Sequence, residues 1–140
     1  MKNIFTTMIM FGVLFANDLP IKKQDVSPAQ LKKQNVEIVA LSAKELSKNL
    51  PQKIDKYTRL LSVDANHSTL IYSFEINSTK SDEVIKKEDK SRMREGVTIG
   101  VCKNSKRFLE AEIDIKYNYL SAKSHKVLFS FNIDREKCAK

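Results

Sequence analysis

The sequence predicts an α+β domain, ordered α-β-β-α-β-β, in which two β-hairpins form one four-stranded antiparallel sheet with helices packed on one face. Two runs predict the strands. Leu70, Tyr72, Phe74 and Ile76 alternate with Ser73 and Glu75, and Ile113, Ile115, Tyr117 and Tyr119 alternate with Glu112, Asp114, Lys116 and Asn118. Successive strand side chains point to opposite faces, so a period of two marks a strand with one buried face. Helix-start patterns predict the helices, because Ser27-Pro28 and Ser81-Asp82-Glu83 each precede a strand pair.

The chain opens on a short positive stretch, Met1-Lys2-Asn3, followed by an uncharged apolar run, Ile4–Phe15, and the small Ala16. This is the layout of a secretory signal peptide over residues 1–16. A bilayer-spanning helix needs about 20 apolar residues, more than this run supplies. Leu14, where a small residue suits the cut better, keeps an uncleaved N-terminal anchor as the alternative. No cysteine follows the apolar run, so lipidation there is not expected, and no integral span remains after cleavage. Residues 17–26 read as a loosely held lead-in and residues 27–140 as a single domain. Taking 16 from 140 leaves 124 residues, a length suited to one core.

Ser27 reads as an N-cap with Pro28 at the first helical position, and the helix runs to about residue 35. Val36–Leu41 either continues it or forms a buried strand, since short apolar runs fit both. Ser42-Ala-Lys-Glu45 has the capping-box pattern and starts a further turn or two of helix, which Pro51 stops. From Tyr57 the period changes to two. Arg59, Leu61 and Val63 alternate, Asp64–Ser68 turns, and Leu70–Ile76 returns as the first hairpin.

Between the hairpins, the acids beside Ser81 suit the positive end of a helix dipole. Met93, Val97 and Val101 recur every four residues and share a helical face. Gly96 and Gly100 are expected to let that face approach the sheet closely. Each costs about 1 kcal/mol of helix propensity, which leaves an extended Val97–Cys102 as the alternative. In the second hairpin a turn at Ser121–His125 leads to Val127, Phe129, Phe131 and Ile133, alternating with Ser130, Asn132 and Asp134.

The formal net charge is +8, and one lysine leaves with the signal peptide. Such a balance favours an acidic partner, whether anionic lipid, cell-wall polymer or nucleic acid. The lysines are nevertheless spread in small groups such as Lys32-Lys33 and Lys86-Lys87, beside acids, which also serves plain solubility. Two cysteines, Cys102 and Cys138, in an oxidising compartment favour a disulfide, worth about 4 kcal/mol for a loop of this length. A free redox pair is the alternative. Neither cysteine has metal-ligand spacing to a second cysteine or a histidine.

No catalytic set, cofactor motif or metal-ligand set is legible. Ser124-His125 lies in a turn without an orienting acid. Glu110, Glu112 and Asp114 share the period of a strand face, as a cation site or a solvated face would. His67 and His125 occupy the two hairpin tips and could pair if the tips point the same way, or stand as separate exposed residues. Tyr117, Tyr119 and Phe129 alternate as core residues do, so a stacking platform for nucleic acid is not expected. Asp64-Ala-Asn66-His-Ser68 and Glu75-Ile-Asn77-Ser-Thr79 both read [DE]-x-N-x-[ST], resembling the extended acceptor sequon of bacterial N-glycosylation. Asn66 and Asn77 are therefore candidate glycan acceptors, or simple turn formers.

From Leu50 to Cys138 the chain resembles a poorly characterised family of small exported bacterial proteins. The residues that carry this are Leu50-Pro51-x-x-Ile54-Asp55-x-x-Thr58-x-Leu60, Leu70-x-Tyr72-x-Phe74, Cys102, Arg107-Phe108, Tyr117-x-Tyr119 and Cys138. The resemblance implies a disulfide-linked α+β domain and brings no activity. In outline the chain is also similar to the small pilotins of secretion systems, which escort an outer-membrane channel subunit and are usually lipidated. The expectation is a periplasmic or secreted, non-enzymatic binding or accessory protein with an envelope protein partner, its oligomeric state open. The alternatives are an envelope hydrolase or hydrolase inhibitor, and a binder of anionic envelope polymer.

Overall fold

Helix α1 (Pro28–Leu46) starts where Ser27 caps it. The Ser27 hydroxyl accepts the Gln30 N–H at 3.2 Å, and the Gln30 carboxamide accepts the Ser27 N–H in return. The computed structural model describes residues 27–77 and 87–139. The expected signal peptide, the lead-in and the helix start at Ser81 lie outside them. Helix α1 runs on through Val36–Leu41, which resolves that segment as helix. Asn35, Ile38, Val39, Ser42 and Ala43 form its buried stripe at helical spacing. The second start expected at Ser42 is corrected: Ser42 lies inside α1, fully buried, because continuing the apolar stripe outweighs a local serine signal. At the helix end the Ser47 hydroxyl donates to the Val63 carbonyl at 2.9 Å and ties α1 to the sheet.

The strands are β1 (Gln52–Lys53), β2 (Thr58–Asn66), β3 (Thr69–Ile76), β4 (Asp114–Ser121) and β5 (Val127–Ile133), side by side in that order. Two features correct the four-stranded antiparallel expectation. Strand β1 adds a fifth member, pairing Gln52 with Leu60 and Lys53 with Arg59. Strands β3 and β4 are parallel, from Thr69 beside Asp114 to Ile76 beside Ser121. The segment joining the hairpins holds helix α2 (Lys87–Asn104) and the short helix α3 (Lys106–Glu110), and it is long enough to return the chain in the same direction. Helix α4 (Arg135–Cys138) follows β5.

A β-bulge between Leu60 and Ser62 corrects the alternation expected at Arg59, Leu61 and Val63. The extra residue turns Leu60 inward, so Leu60 and Val63 are buried and Arg59 is exposed. The core occupies the face covered by the helices and includes Val39, Leu70, Phe108, Ile113, Ile115 and Ile133. Glu110 ends α3, Glu112 sits in a turn at φ 66°, and Asp114 opens β4. The expected acidic strand face is therefore not formed. Among the described residues no helix is long and apolar enough to cross a membrane.

Candidate functional site

The parallel register brings aromatic side chains into rows. Tyr72 lies beside Tyr117 and Phe74 beside Tyr119 across β3 and β4, and Tyr119 lies beside Phe129 across β4 and β5. Their rings touch: Tyr72–Tyr117 centroids are 5.1 Å apart, Phe74–Tyr117 4.9 Å and Tyr119–Phe129 4.9 Å. Each such contact stabilises by about 0.5–1.5 kcal/mol beyond the area it buries.

Part of this aromatic surface is left open between the helices. Tyr72, Phe74, Tyr117 and Tyr119 line a groove of about 430 Å³ together with Met93, Gly96, Val97, Gly100 and Val101 of α2. Leu46, Ile54, Asp55 and Thr58 contribute from the end of α1 and the β1–β2 connection, and Asn104, Ser105 and Phe108 from the end of α2 and from α3. Helix α2 rests on the β5 side instead. The Lys90 ammonium lies 5.9 Å from the Phe129 centroid and the Arg94 guanidinium 5.5 Å from that of Phe131.

Gly96 and Gly100 correct the expectation of close approach. A Cβ atom on either would meet nothing within 4 Å, and neither glycine has a positive φ. The segment is helical, so the extended alternative for Val97–Cys102 is also set aside.

The groove is electrically quiet. Burial holds the phenols of Tyr72 and Tyr119 above the ordinary tyrosine value, with the neighbouring Tyr117 adding to both, and burial pushes Tyr117 up to about 12. They remain neutral at physiological pH, and no hydrogen bond to a described residue engages any of the three hydroxyls. Asp55 is the one charged residue among the described residues of the lining. Its Oδ1 accepts the N–H groups of Tyr57 at 2.8 Å and Thr58 at 2.9 Å. A neutral aromatic floor with one peripheral carboxylate suits binding of apolar surface.

The structure separates the other candidate residues. Since β3 and β4 run the same way, the β2–β3 and β4–β5 turns lie at opposite ends of the sheet, and His67 and His125 cannot pair. Nδ1 of His67 is 2.8 Å from Asn66 Oδ1, and Nδ1 of His125 is 3.9 Å from a Glu75 carboxylate oxygen. The Ser124 hydroxyl accepts the Lys126 N–H and has no acid–histidine partner set. No group of three or more potential metal ligands exists among the described residues. Asn66 pairs with Thr69 at the tight hairpin turn; Asn77 is exposed just beyond β3, with Ser78 and Thr79 outside the described residues. Cys102, in the last turn of α2, and Cys138, ending α4, have Cα atoms 5.5 Å apart, a pair placed to form a disulfide. The alternation placed the groove tyrosines on the buried sheet face, where Tyr119 joins the core and Tyr72 and Tyr117 pack against it, and Asp55 stood out only among the residues of the family resemblance. The glycine pair was the signal for the hollow.

Residues 33–129 match the sequence model of a family described as a domain of unknown function (DUF8479). No curated protein matches the chain by sequence. Three solved structures share the fold. A protein of Pseudomonas aeruginosa described as secreted aligns with a TM-score of 0.69 at 16% identity, over 81% of this chain and 99% of that one. The type 2 secretion system pilotin EpsS of Vibrio vulnificus aligns at 0.67 and 10% identity, over 79% and 96%. The type II secretion system pilotin AspS of Vibrio cholerae aligns at 0.61 and 17% identity, over 79% and 97%. The likeness in outline to pilotins is thus a property of the fold.

Proposed function

Because the chain belongs to the DUF8479 family and has the fold of two pilotins, we propose that it is an exported, non-enzymatic accessory protein that docks an apolar segment of an envelope protein in the α2 groove. The observation that carries this reading is the open groove floored by Tyr72, Phe74, Tyr117 and Tyr119. Apolar area removed from water contributes about 25 cal/mol per Å², so covering such a floor favours association without any charge–charge contact. A hydrolase would instead need a convergent polar cluster, and the described residues of the lining supply one carboxylate.

In this reading residues 1–16 are removed on export, the mature chain resides in the periplasm or outside the cell, and Cys102 and Cys138 oxidise there. Asn66 and Asn77 are glycan acceptors in a source that has the transferase. Neither cofactor nor nucleic acid takes part. The test is site-specific photocrosslinking of the exported chain, with a benzophenone side chain at Val97 in the groove or at Ser130, exposed on β5. One envelope protein crosslinked from position 97 and absent from position 130 is the expected result. Equal crosslinking from both positions, or none from 97, rejects the reading. Intact mass of the same material reports leader removal, the bridge and any glycan.

A further inference from the structure

Strand β5 closes one side of the sheet, and among the described residues it has a neighbouring strand on one edge alone, β4. The opposite side ends in the two residues of β1, too short to template another strand, whereas β5 runs for seven. In an antiparallel pair, opposed residues alternate between exchanging both backbone hydrogen bonds and exchanging none. The Asn132 carbonyl accepts a hydrogen bond from the Lys137 ammonium, so it faces the open edge. Ser130, two residues back in the same register, therefore also turns its N–H and C=O outward. Its hydroxyl donates to Asn118 Oδ1 at 2.7 Å, as suits the closer approach of a pair without backbone bonds. Val127 and Ser130 are exposed, so this stretch of the edge is open to solvent.

Cations stand over this edge. Lys90 and Arg94 reach across Phe129 and Phe131 at 5.9 and 5.5 Å, and neither makes an ion pair with a described residue. The neighbouring Asp89 is paired with Arg92 instead. Four residues of helix advance about 6 Å and two residues of strand about 6.6 Å. Every second side chain of a strand laid beside β5 therefore comes level with Lys90 and then with Arg94. We infer that β5 accepts a sixth strand, an extended segment of a partner protein with acidic residues at alternate positions. Its backbone pairs with Ser130 and, displacing the Lys137 ammonium, with Asn132, while its carboxylates meet Lys90 and Arg94 on the helix side. A second copy does not suit the place, because pairing β5 with itself brings two sets of these cations together. None of these residues lines the groove, so this partner is separate from the groove's occupant, and a crosslinker at Ser130 meets a protein other than the one met at Val97.

The test uses the exported chain and synthetic peptides of about nine residues, built from valine, threonine and glutamate. One peptide carries its glutamates at alternate positions, and the other carries as many in an unbroken run. The alternating peptide is expected to bind about tenfold more tightly and to slow amide exchange at Ser130 and Asn132. Lys90→Gln together with Arg94→Gln should remove the tenfold advantage. N-methylation of the alternating peptide keeps every charge and leaves the protein unaltered, so it tests the backbone pairing alone. Methyl groups on one alternate set of its amides should abolish binding, and on the other set should spare it. Equal binding of the two glutamate patterns, or indifference to methylation of either set, reduces the contact to charge attraction and overturns the inference. Absence of saturable binding overturns it as well, as does a dimer in sedimentation that already protects the Ser130 and Asn132 amides. Crosslinking from Val97 tests the groove separately, so either result can fail alone.

Discussion

Phe74 and Tyr119 lie face to face across the parallel seam of the sheet, with ring centroids 5.1 Å apart and planes inclined by 16°. The two residues belong to different hairpins, and their stacking is what makes one apolar surface out of two. Tyr119→Leu should therefore lower stability by about 1–2 kcal/mol through the lost ring contacts, more than the change in apolar area alone accounts for. Urea unfolding of the pair Tyr119→Leu and Tyr119→Phe checks this, with the phenylalanine variant near wild type.

The tyrosines also set the alkaline limit. A phenol whose folded value is raised adds stability that is fully present below its unfolded value, near 10, and is lost as pH rises through the folded value, about 12 for Tyr117. Absorbance at 295 nm should show the ionisation of Tyr72, Tyr117 and Tyr119 coinciding with loss of the far-ultraviolet signal. Independent ionisation of all three in the folded protein would contradict the burial described.

Asp114 behaves in the same sense at acid pH. Burial first, then the nearby Asp134 carboxylate, raises its value above the ordinary 3.8. Its protonated form is favoured in the fold, so the stability it contributes is present below 3.8 and is lost as pH rises through the higher folded value. Asp114→Asn should flatten the stability–pH curve just above 3.8, as denaturant midpoints at several pH values would show.

Ser42 and the groove glycines allow stabilising substitutions. The Ser42 hydroxyl is buried without a hydrogen-bond partner, so Ser42→Ala should raise stability by about 1 kcal/mol. Gly96→Ala and Gly100→Ala meet open space and gain helix propensity, again about 1 kcal/mol each. Melting temperatures should rise in all three variants, and only the two at the glycines should lose affinity for the groove's occupant.

Replacing Cys102 and Cys138 by serine should cost about 2–4 kcal/mol by relaxing the unfolded chain. The sheet with α1 supplies most of the described core, and Val101 is the one member of α2 that is nearly fully buried among the described residues. The variant should therefore keep its strand signal while hydrogen exchange speeds up through α2. Unchanged exchange there would mean that packing alone holds the helix.

Much of this architecture was legible in the residues, because alternation reports which face a strand buries. Leu70–Ile76, Ile115–Tyr119 and Phe129–Ile133 are strands with the expected side inward. Alternation says nothing about which strand lies next door, so the parallel seam between β3 and β4 was hidden. The two residues of β1 are too few to show a period, and the bulge at Leu61 breaks the period locally. The groove was masked for a related reason. Its floor and the core share one sheet face, so Tyr72 and Tyr117 carry the same signature as Leu70 and Ile115.

With Cys102 oxidised onto Cys138, helix α2 is fastened near one end, and it leans on β5 through Lys90 and Arg94 nearer the other. A rod held near both ends keeps its place over the sheet. The wall of the cleft is then set by the chain itself, so little of a guest's binding energy goes into ordering its host.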